Sequence, residues 1–430
     1  MRESDRNMYQ RKKIDITLAD LAQGLKFCAK APPREQLLKE IEHLWSDGRA
    51  VLPTLSVRTG FDLLLRNLDL GDRDEIIITA VTIPHMEQII LEHGYTPVPI
   101  DFDPQDMQTS AALVERAIGP RTGALMITHL FGTRQPLDTW VDLAREHDLF
   151  LIEDCAQAFD GLGYAGDVNA DISMFSFGSI KTATALGGAL LSVRDYDLAE
   201  RMRAEQATYP VQDRRVYMNK LVKYMGLVGI SSPERFSMMI RALQLTGRDY
   251  DMVIRRLTRG FSGPGFWDKL RHQMSAPHVA MLHHRLMTYD NNLLERRAKA
   301  GRFFASLLDP HIVHFGWRCA RHTHWLFPIA VSNPHEVIVA LRAQGFDATS
   351  GSSTLVALEN NSDHHELDTE LSKRLMNNIV YLPISQHVPE SEIARCARAL
   401  NAIARPLEIP APRHYQFRPA SLPRLPEVIG

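Results

Sequence analysis

The chain has 430 residues, with 49 Lys and Arg against 51 Asp and Glu and a hydrophobic fraction of 45%. That length allows two domains with a sizeable core, and the near-balance of charge points to neither nucleic acid nor an acidic substrate. The four cysteines, Cys28, Cys155, Cys319 and Cys396, show no paired spacing. They fit buried thiols in a reduced, cytoplasmic protein better than a disulfide framework or a zinc site.

The start of the chain, MRESDRNMYQRKKIDI, is polar and lacks the apolar core of a secretory signal. No apolar run reaches the roughly 18 residues of a transmembrane segment. Residues 1–34 therefore read as a polar N-terminal extension that ends at Pro32-Pro33. Residues 35–46 carry amphipathic helical spacing, and Phe61–Leu68 predicts a second helix after a turn over Leu55–Gly60. Short apolar runs follow at Glu75–Thr79, Thr96–Ile100, Gly123–Leu130, Phe150–Asp154, Asp171–Phe177 and Ala189–Val193, each suited to a buried strand. Helix-like segments at Met86–His93, Ala111–Ala117 and Leu137–His147 alternate with them. This rhythm predicts an α/β domain over 35–197, with a mostly parallel central sheet flanked by helices and a ligand site beyond the carboxyl ends of its strands.

From 198 to 286 the strand rhythm stops, and the sequence reads as a helical insertion or bridge. Within it Val216–Leu243 suits a lid or dimer-contact helix better than a membrane-surface helix. A smaller C-terminal α+β domain is expected over 287–406, with strands at His324–Val331 and Asn378–Pro383 and helices at Pro334–Gln344 and Glu390–Ile403. Residues 407–430 form a Pro-rich tail. No internal repeat is evident.

The chemistry concentrates in residues 150–191, FLIEDCAQAFDGLGYAGDVNADISMFSFGSIKTATALGGALL. Asp154 closes one expected strand, Ser176 closes the next, and Lys181 lies between Ser176 and the Gly187-Gly188 pair. These residue types meet three demands of pyridoxal 5'-phosphate (PLP) chemistry. A lysine amine forms a Schiff base, a carboxylate keeps the pyridine nitrogen protonated, and a hydroxyl helps hold the phosphate. Lys181 is also the only lysine between Lys39 and Lys220, in a stretch that otherwise draws its positive charge from arginine. Arginine stays protonated and cannot take the lysine's part.

Ile152-Glu153-Asp154-Cys155-Ala156-Gln157, then Ser176-Phe177-Gly178-Ser179-Ile180-Lys181, then Gly187-Gly188 resemble the signature of the DegT/StrS-type sugar aminotransferases, a family of fold-type-I PLP enzymes. Leu68–Ile77, Gly94–Asp101, Pro120-Arg121-Thr122 and His129–Gly132 add to the likeness, which covers roughly 40–200 well and Arg271 onward loosely. The resemblance implies that Lys181 is the Schiff-base and proton-shuttling lysine, Asp154 the pyridinium partner, Gln157 a ring contact and Ser176 a phosphate ligand. It places the family's phosphate loop on Ser56, Val57 and Arg58, where the start of a helix would offer unpaired amides to an anion. Arg58 replaces a threonine and suits a phosphate as a guanidinium donor. Ile83 stands where the family has a ring-stacking aromatic, leaving His85 as the nearest planar side chain. Gly178 replaces the usual histidine. The family's N-x-R segment, often supplied across a dimer interface, falls on Arg271-His272-Gln273, which makes Arg271 a further phosphate contact and a homodimer the expected assembly.

Other signals carry less. Gly161–Gly166 matches G-x-G-x-x-G but does not stand between a strand and the helix it opens, so a turn is the better reading. Histidines at 283–284, 322, 324 and 364–365 lack ligand partners at metal spacing, and no metal is expected. Cys155 has no positioned base and reads as core. The expected activity is transfer of an amino group, glutamate being the donor that the resemblance implies, to a keto or aldehyde acceptor such as a nucleotide-linked keto-sugar, in ping-pong order. A PLP-dependent lyase, decarboxylase or dehydratase is the alternative enzyme, although the family's sugar dehydratases carry histidine where this chain has Lys181. A non-catalytic PLP-binding regulator would need a recognition module, and none is evident.

Overall fold

The computed structural model describes residues 7–258, 265–351, 353–364 and 367–409. The expected tail from 410 onward and the first six residues lie outside that range. Seven strands, β1 (Ala50–Thr54), β2 (Glu75–Thr79), β3 (Thr96–Ile100), β4 (Thr122–Thr128), β5 (Phe150–Asp154), β6 (Ile172–Ser176) and β7 (Ala189–Val193), form the main sheet. Their order is β3-β2-β4-β5-β6-β7-β1. All neighbours are parallel except at β7, which runs antiparallel to both β6 and β1. The central strands are buried along their whole length, which is why they appear in the sequence as apolar runs without alternation.

The helices, in chain order, are α1 (Leu18–Ala29), α2 (Arg34–Trp45), α3 (Val57–Asn67), α4 (Pro84–Glu92), α5 (Ala111–Ala117), α6 (Asp138–Glu146), α7 (Tyr196–Ala207), α8 (Arg214–Gly229), α9 (Pro233–Leu245), α10 (Tyr250–Thr258), α11 (Phe266–Leu270), α12 (Ala276–Thr288), α13 (Asn292–Ala305), α14 (Pro334–Ala343), α15 (Glu370–Asn377) and α16 (Glu390–Asn401). Helix α3 begins four residues earlier than expected. Ser56 caps it by accepting from the Thr59 amide. Gly60 therefore does not end a turn. A Cβ there would lie 2.6 Å from two carbons of Leu191, so the glycine lets α3 lie close against β7.

The N-terminal extension packs against the body: α1 lies on α8 and α12, and Tyr9 bridges to Phe346 of the C-terminal part. The helices of residues 198–286 pack in more than one place. Helix α7 lies on α3 and β1, and α12 packs on α1 and α2 with Val279, Met281 and Leu282 fully buried, so only α9 and α10 share a separate small cluster around Phe236, Ile240 and Tyr250.

Downstream, β8 (Val313–His314), β9 (Phe327–Ala330) and β10 (Ile379–Leu382) form an antiparallel sheet in the order β8-β9-β10. Phe304, Leu341 and Leu400, from α13, α14 and α16, share its apolar cluster. Two short ribbons, Arg321–His322 on Thr133–Arg134 and Val356–Ala357 on Val81–Thr82, tie this part to loops of the main sheet.

Candidate active site

Because β4, β5 and β6 are parallel neighbours, Thr128 and Asp154 end side by side, and Ser176 lies two residues beyond Met174, the register partner of Asp154. The chain then reverses through residues 177–188 into the antiparallel β7, with Ser176 registered against Ala189. Lys181 lies on this reversal, its amide bonded to the Gly178 carbonyl at 2.9 Å. Thr184 fixes the loop by donating to the Gly178 carbonyl at 2.7 Å and accepting from the Leu186 amide. Gly188, at φ +87°, closes it and donates to the Leu55 carbonyl, which brings the loop beside the start of α3.

Burial pushes the Lys181 ammonium down to about 8, with Arg58 adding to the fall and Asp154 opposing it. Asp154 is itself buried, which raises its carboxyl, while the Ala156 amide at 2.9 Å and the charge of Lys181 favour its ionised form. The next residue back has the opposite balance. Glu153 is equally deep but accepts from His129 Nε2 at 2.9 Å, Ser173 Oγ at 2.7 Å, the Asp167 amide at 2.8 Å and the Tyr164 hydroxyl, and is held down at about 2 despite its burial. His129 Nδ1 accepts from the Gln135 amide at 3.4 Å, so Nε2 carries the proton that Glu153 receives. His129, Glu153 and Cys155 come close enough to hold a metal ion, yet Glu153 is already satisfied by four donors. The cluster reads as a brace under Asp154.

Positive charge also acts on Lys181, from Arg58. Arg58 and His85 meet at 3.1 Å, and burial pushes the Arg58 guanidinium down to about 10. Lys220, from α8, is pushed down to about 8 by burial, and the charged groups acting on it are both cations, Lys223 and Arg58. A Cβ on Gly187 would lie 3.6 Å from the Lys220 ammonium and 2.6 Å from the His278 ring, so this glycine makes room for both. Ser56, Val57 and Arg58 stand at the start of α3, beside this cluster.

Not every expected residue comes to Lys181. Arg271 instead grips the fully buried Asp62 with two bonds, at 3.0 and 3.1 Å, in a group completed by His93. His85 stacks on Phe266 at 4.4 Å and 5°, so one face of the only expected planar partner is covered. Gln157 accepts from the Phe131 amide at 3.0 Å. Gly161–Gly166 is a turn, and a Cβ on Gly166 would collide with Ser173 at 2.1 Å. His283, His284 and His364 pair with Glu40, Asp20 and Glu75, while His365 lies outside the described residues.

Three residues at the site escaped the sequence reading. Lys220 sits in a stretch read as a lid or dimer contact. Trp325 holds its ring 4.4 Å from the Lys181 ammonium and donates through Nε1 to the Ile180 carbonyl at 3.1 Å. Lys12 reaches the same ring at 3.6 Å. For Lys220 the available signal was its place as the first lysine after Lys181; for Lys12 and Trp325 the sequence carries none.

Comparison with known proteins follows the same lines. Across 241 residues the chain is 28% identical to a GDP-perosamine synthase of Caulobacter vibrioides, covering 53% of this chain and 65% of that protein. It is 34% identical over 185 residues to an L-glutamine:2-deoxy-scyllo-inosose aminotransferase of Micromonospora echinospora, covering 41% of this chain and 44% of that protein. The chain thus spans less than two thirds of the length of these curated relatives. The crystal structure of the aminotransferase TlmJ from Streptoalloteichus hindustanus superimposes with a TM-score of 0.65 over 92% of this chain and 98% of that one, at 18% identity. The likeness establishes the fold as that of the fold-type-I PLP aminotransferases. The DegT/DnrJ/EryC1/StrS aminotransferase family matches residues 46–401, most of the chain, and the protein belongs to that family.

Proposed function

We propose that this protein is a PLP-dependent aminotransferase, with Lys181 as the covalent attachment point, that passes an amino group from glutamate to the keto carbon of a nucleotide-linked sugar. The observation that carries this reading is the set of charges around Lys181: the buried carboxylate of Asp154 and the guanidinium of Arg58 both act on it, and Arg58 in turn acts on Lys220. A cofactor with a cationic ring nitrogen and a phosphate fits those charges. Ser176, the first amides of α3, Arg58 and Lys220 would hold the phosphate, Asp154 the ring nitrogen, and Gln157 and His85 would lie along the ring.

When bound, PLP supplies an electron sink that lets a proton leave the carbon bearing the amino group. The chain's part is to position and move that proton. Lys181 Nζ, with its basicity lowered to about 8, is neutral often enough near pH 7 to accept it and charged often enough to return it. Asp154, whose ionised form the Ala156 amide and Lys181 favour, would hold the protonated ring nitrogen, while the carboxylate of Glu153 is taken up by its four donors. Trp325, only 5% exposed, walls the lysine off from water.

The likeness to a GDP-perosamine synthase supports a nucleotide-linked sugar as acceptor. Homodimer formation is part of the proposal, and the apolar side chains exposed on α8 and α9, Val216, Val222 and Met238 among them, suit a contact with a second copy. The test is to add glutamate to the purified, PLP-loaded protein. Bleaching of the cofactor's visible band with stoichiometric 2-oxoglutarate supports transamination, whereas carbon dioxide, ammonia or an unchanged spectrum contradicts it.

A further inference from the structure

The N-terminal segment crosses the mouth of the Lys181 loop and is pinned on both sides of Lys12. On one side, Tyr9 exchanges backbone bonds with Gly345 and Asp347, and Arg11 pairs with Asp347 at 2.7 Å and with Asp251. On the other, Asp15 accepts from the Ala183 amide at 3.1 Å, inside the Lys181 loop, and from the Tyr289 hydroxyl at 2.9 Å. Thr17 then opens α1 with a reciprocal capping pair to Asp20. The backbone around Lys12 is thereby fixed, and the side chain is delivered to Trp325, 3.6 Å from the ring centre.

What surrounds its ammonium is unusual. The nitrogen is buried and makes no hydrogen bond among the described residues. The groups that act on it are two cations, Lys181 and Arg297, and one acid, Asp15, whose Oδ2 is already engaged. Arg297 donates through Nε to the Thr323 carbonyl and through Nη2 to the Thr182 hydroxyl. An unpaired buried ammonium is unfavourable, burial lowers the basicity of Lys12 well below that of an ordinary lysine, and the indole face offsets only part of the cost. The surroundings lack one anion.

We propose that Lys12 binds a carboxylate of the amino donor, so that the N-terminal strap supplies a specificity residue to the site. The ammoniums of Lys12 and Lys181 share one indole ring, which limits their separation to the reach of a small amino acid held at Lys181. A diphosphate is set apart from the reacting carbon by a whole sugar ring and fits that short span less well. This inference rests on the aminotransferase reading, and its test is chosen to fail separately.

The probes are glutamate, its unreactive analogue glutarate, and GDP, each titrated into the PLP-loaded holoenzyme. Lys12→Gln should raise the dissociation constant for glutarate and the half-saturating glutamate concentration about tenfold or more, with cofactor content and GDP affinity retained. Lys12→Arg should recover part of the loss. The rise in half-saturating concentration should exceed any fall in the saturated rate, since the contact forms on binding. Unchanged glutarate and glutamate affinities in a Lys12→Gln protein that still holds PLP would overturn the proposal. So would a loss confined to GDP, which would assign Lys12 to the acceptor. If the wild-type protein releases no 2-oxoglutarate, the aminotransferase reading falls, and glutarate binding still reports on Lys12.

Discussion

The loop between β6 and β7 and the strap over residues 9–17 both carry a lysine to Trp325, yet they do so by different physics. In the loop, strand ends, tight local hydrogen bonds and glycines place Lys181 within a stretch of some forty residues. In the strap, the placement of Lys12 depends on Asp251, Asp347, Ala183 and Tyr289, all far along the chain. The difference teaches that the position of Lys181 is built largely from local sequence, while that of Lys12 is set by tertiary contacts that can change without touching the loop.

The sharpest way to break that division is Lys181→Ala, which should reduce turnover to background in a coupled 2-oxoglutarate assay while leaving the fold intact. A protein that still turned over would put the chemistry elsewhere. Next in size, Asp154→Asn should lower the saturated rate about 10²–10⁴-fold, the range of a lost group that controls proton movement. Glu153→Gln, one residue away, should instead lower the melting temperature more than the rate of the enzyme that remains folded, because it disrupts a buried brace.

How much of this was legible in the sequence follows the same line. Six of the seven strands of the main sheet could be read because burial on both faces makes them short and largely apolar, whereas β1 (Ala50–Thr54) was missed; Asp154 and Ser176 stood out as polar residues at strand ends. The start of α3 was misplaced because Gly60 serves a close helix–sheet approach, and a glycine required for packing looks the same as one required for a turn. Arg271 was drawn toward the phosphate by motif position, but Asp62 claims it. Lys12 and Trp325 were not found because nothing within their own neighbourhoods distinguishes them, and Lys220 because its one signal, its place as the first lysine after Lys181, does not by itself point to a site.

Lys220 sharpens the comparison as a distant residue on the cofactor side. Lys220→Met should weaken PLP binding to the apoprotein about tenfold, the scale of one charge-assisted contact to phosphate, as measured by absorbance titration. An unchanged affinity would return Lys220 to a structural role. The smallest expected effect is on pH. A free Lys181 amine near 8 is mostly protonated at pH 7 and half neutral at pH 8, and only the neutral form attacks the PLP carbonyl. The rate of PLP capture by apoprotein should therefore rise about fivefold from pH 7 to 8 and level off above pH 9. A rise of tenfold per unit continuing to pH 10 would show that burial leaves Lys181 with the basicity of an ordinary lysine.

Three lysines, 12, 181 and 220, thus share the cleft with lowered basicity, and the account assigns the covalent role to one of them. Borohydride reduction of the PLP-loaded protein followed by peptide mass mapping tests this directly. The account predicts the pyridoxyl group on Lys181 alone; finding it on Lys12 or Lys220 would contradict it.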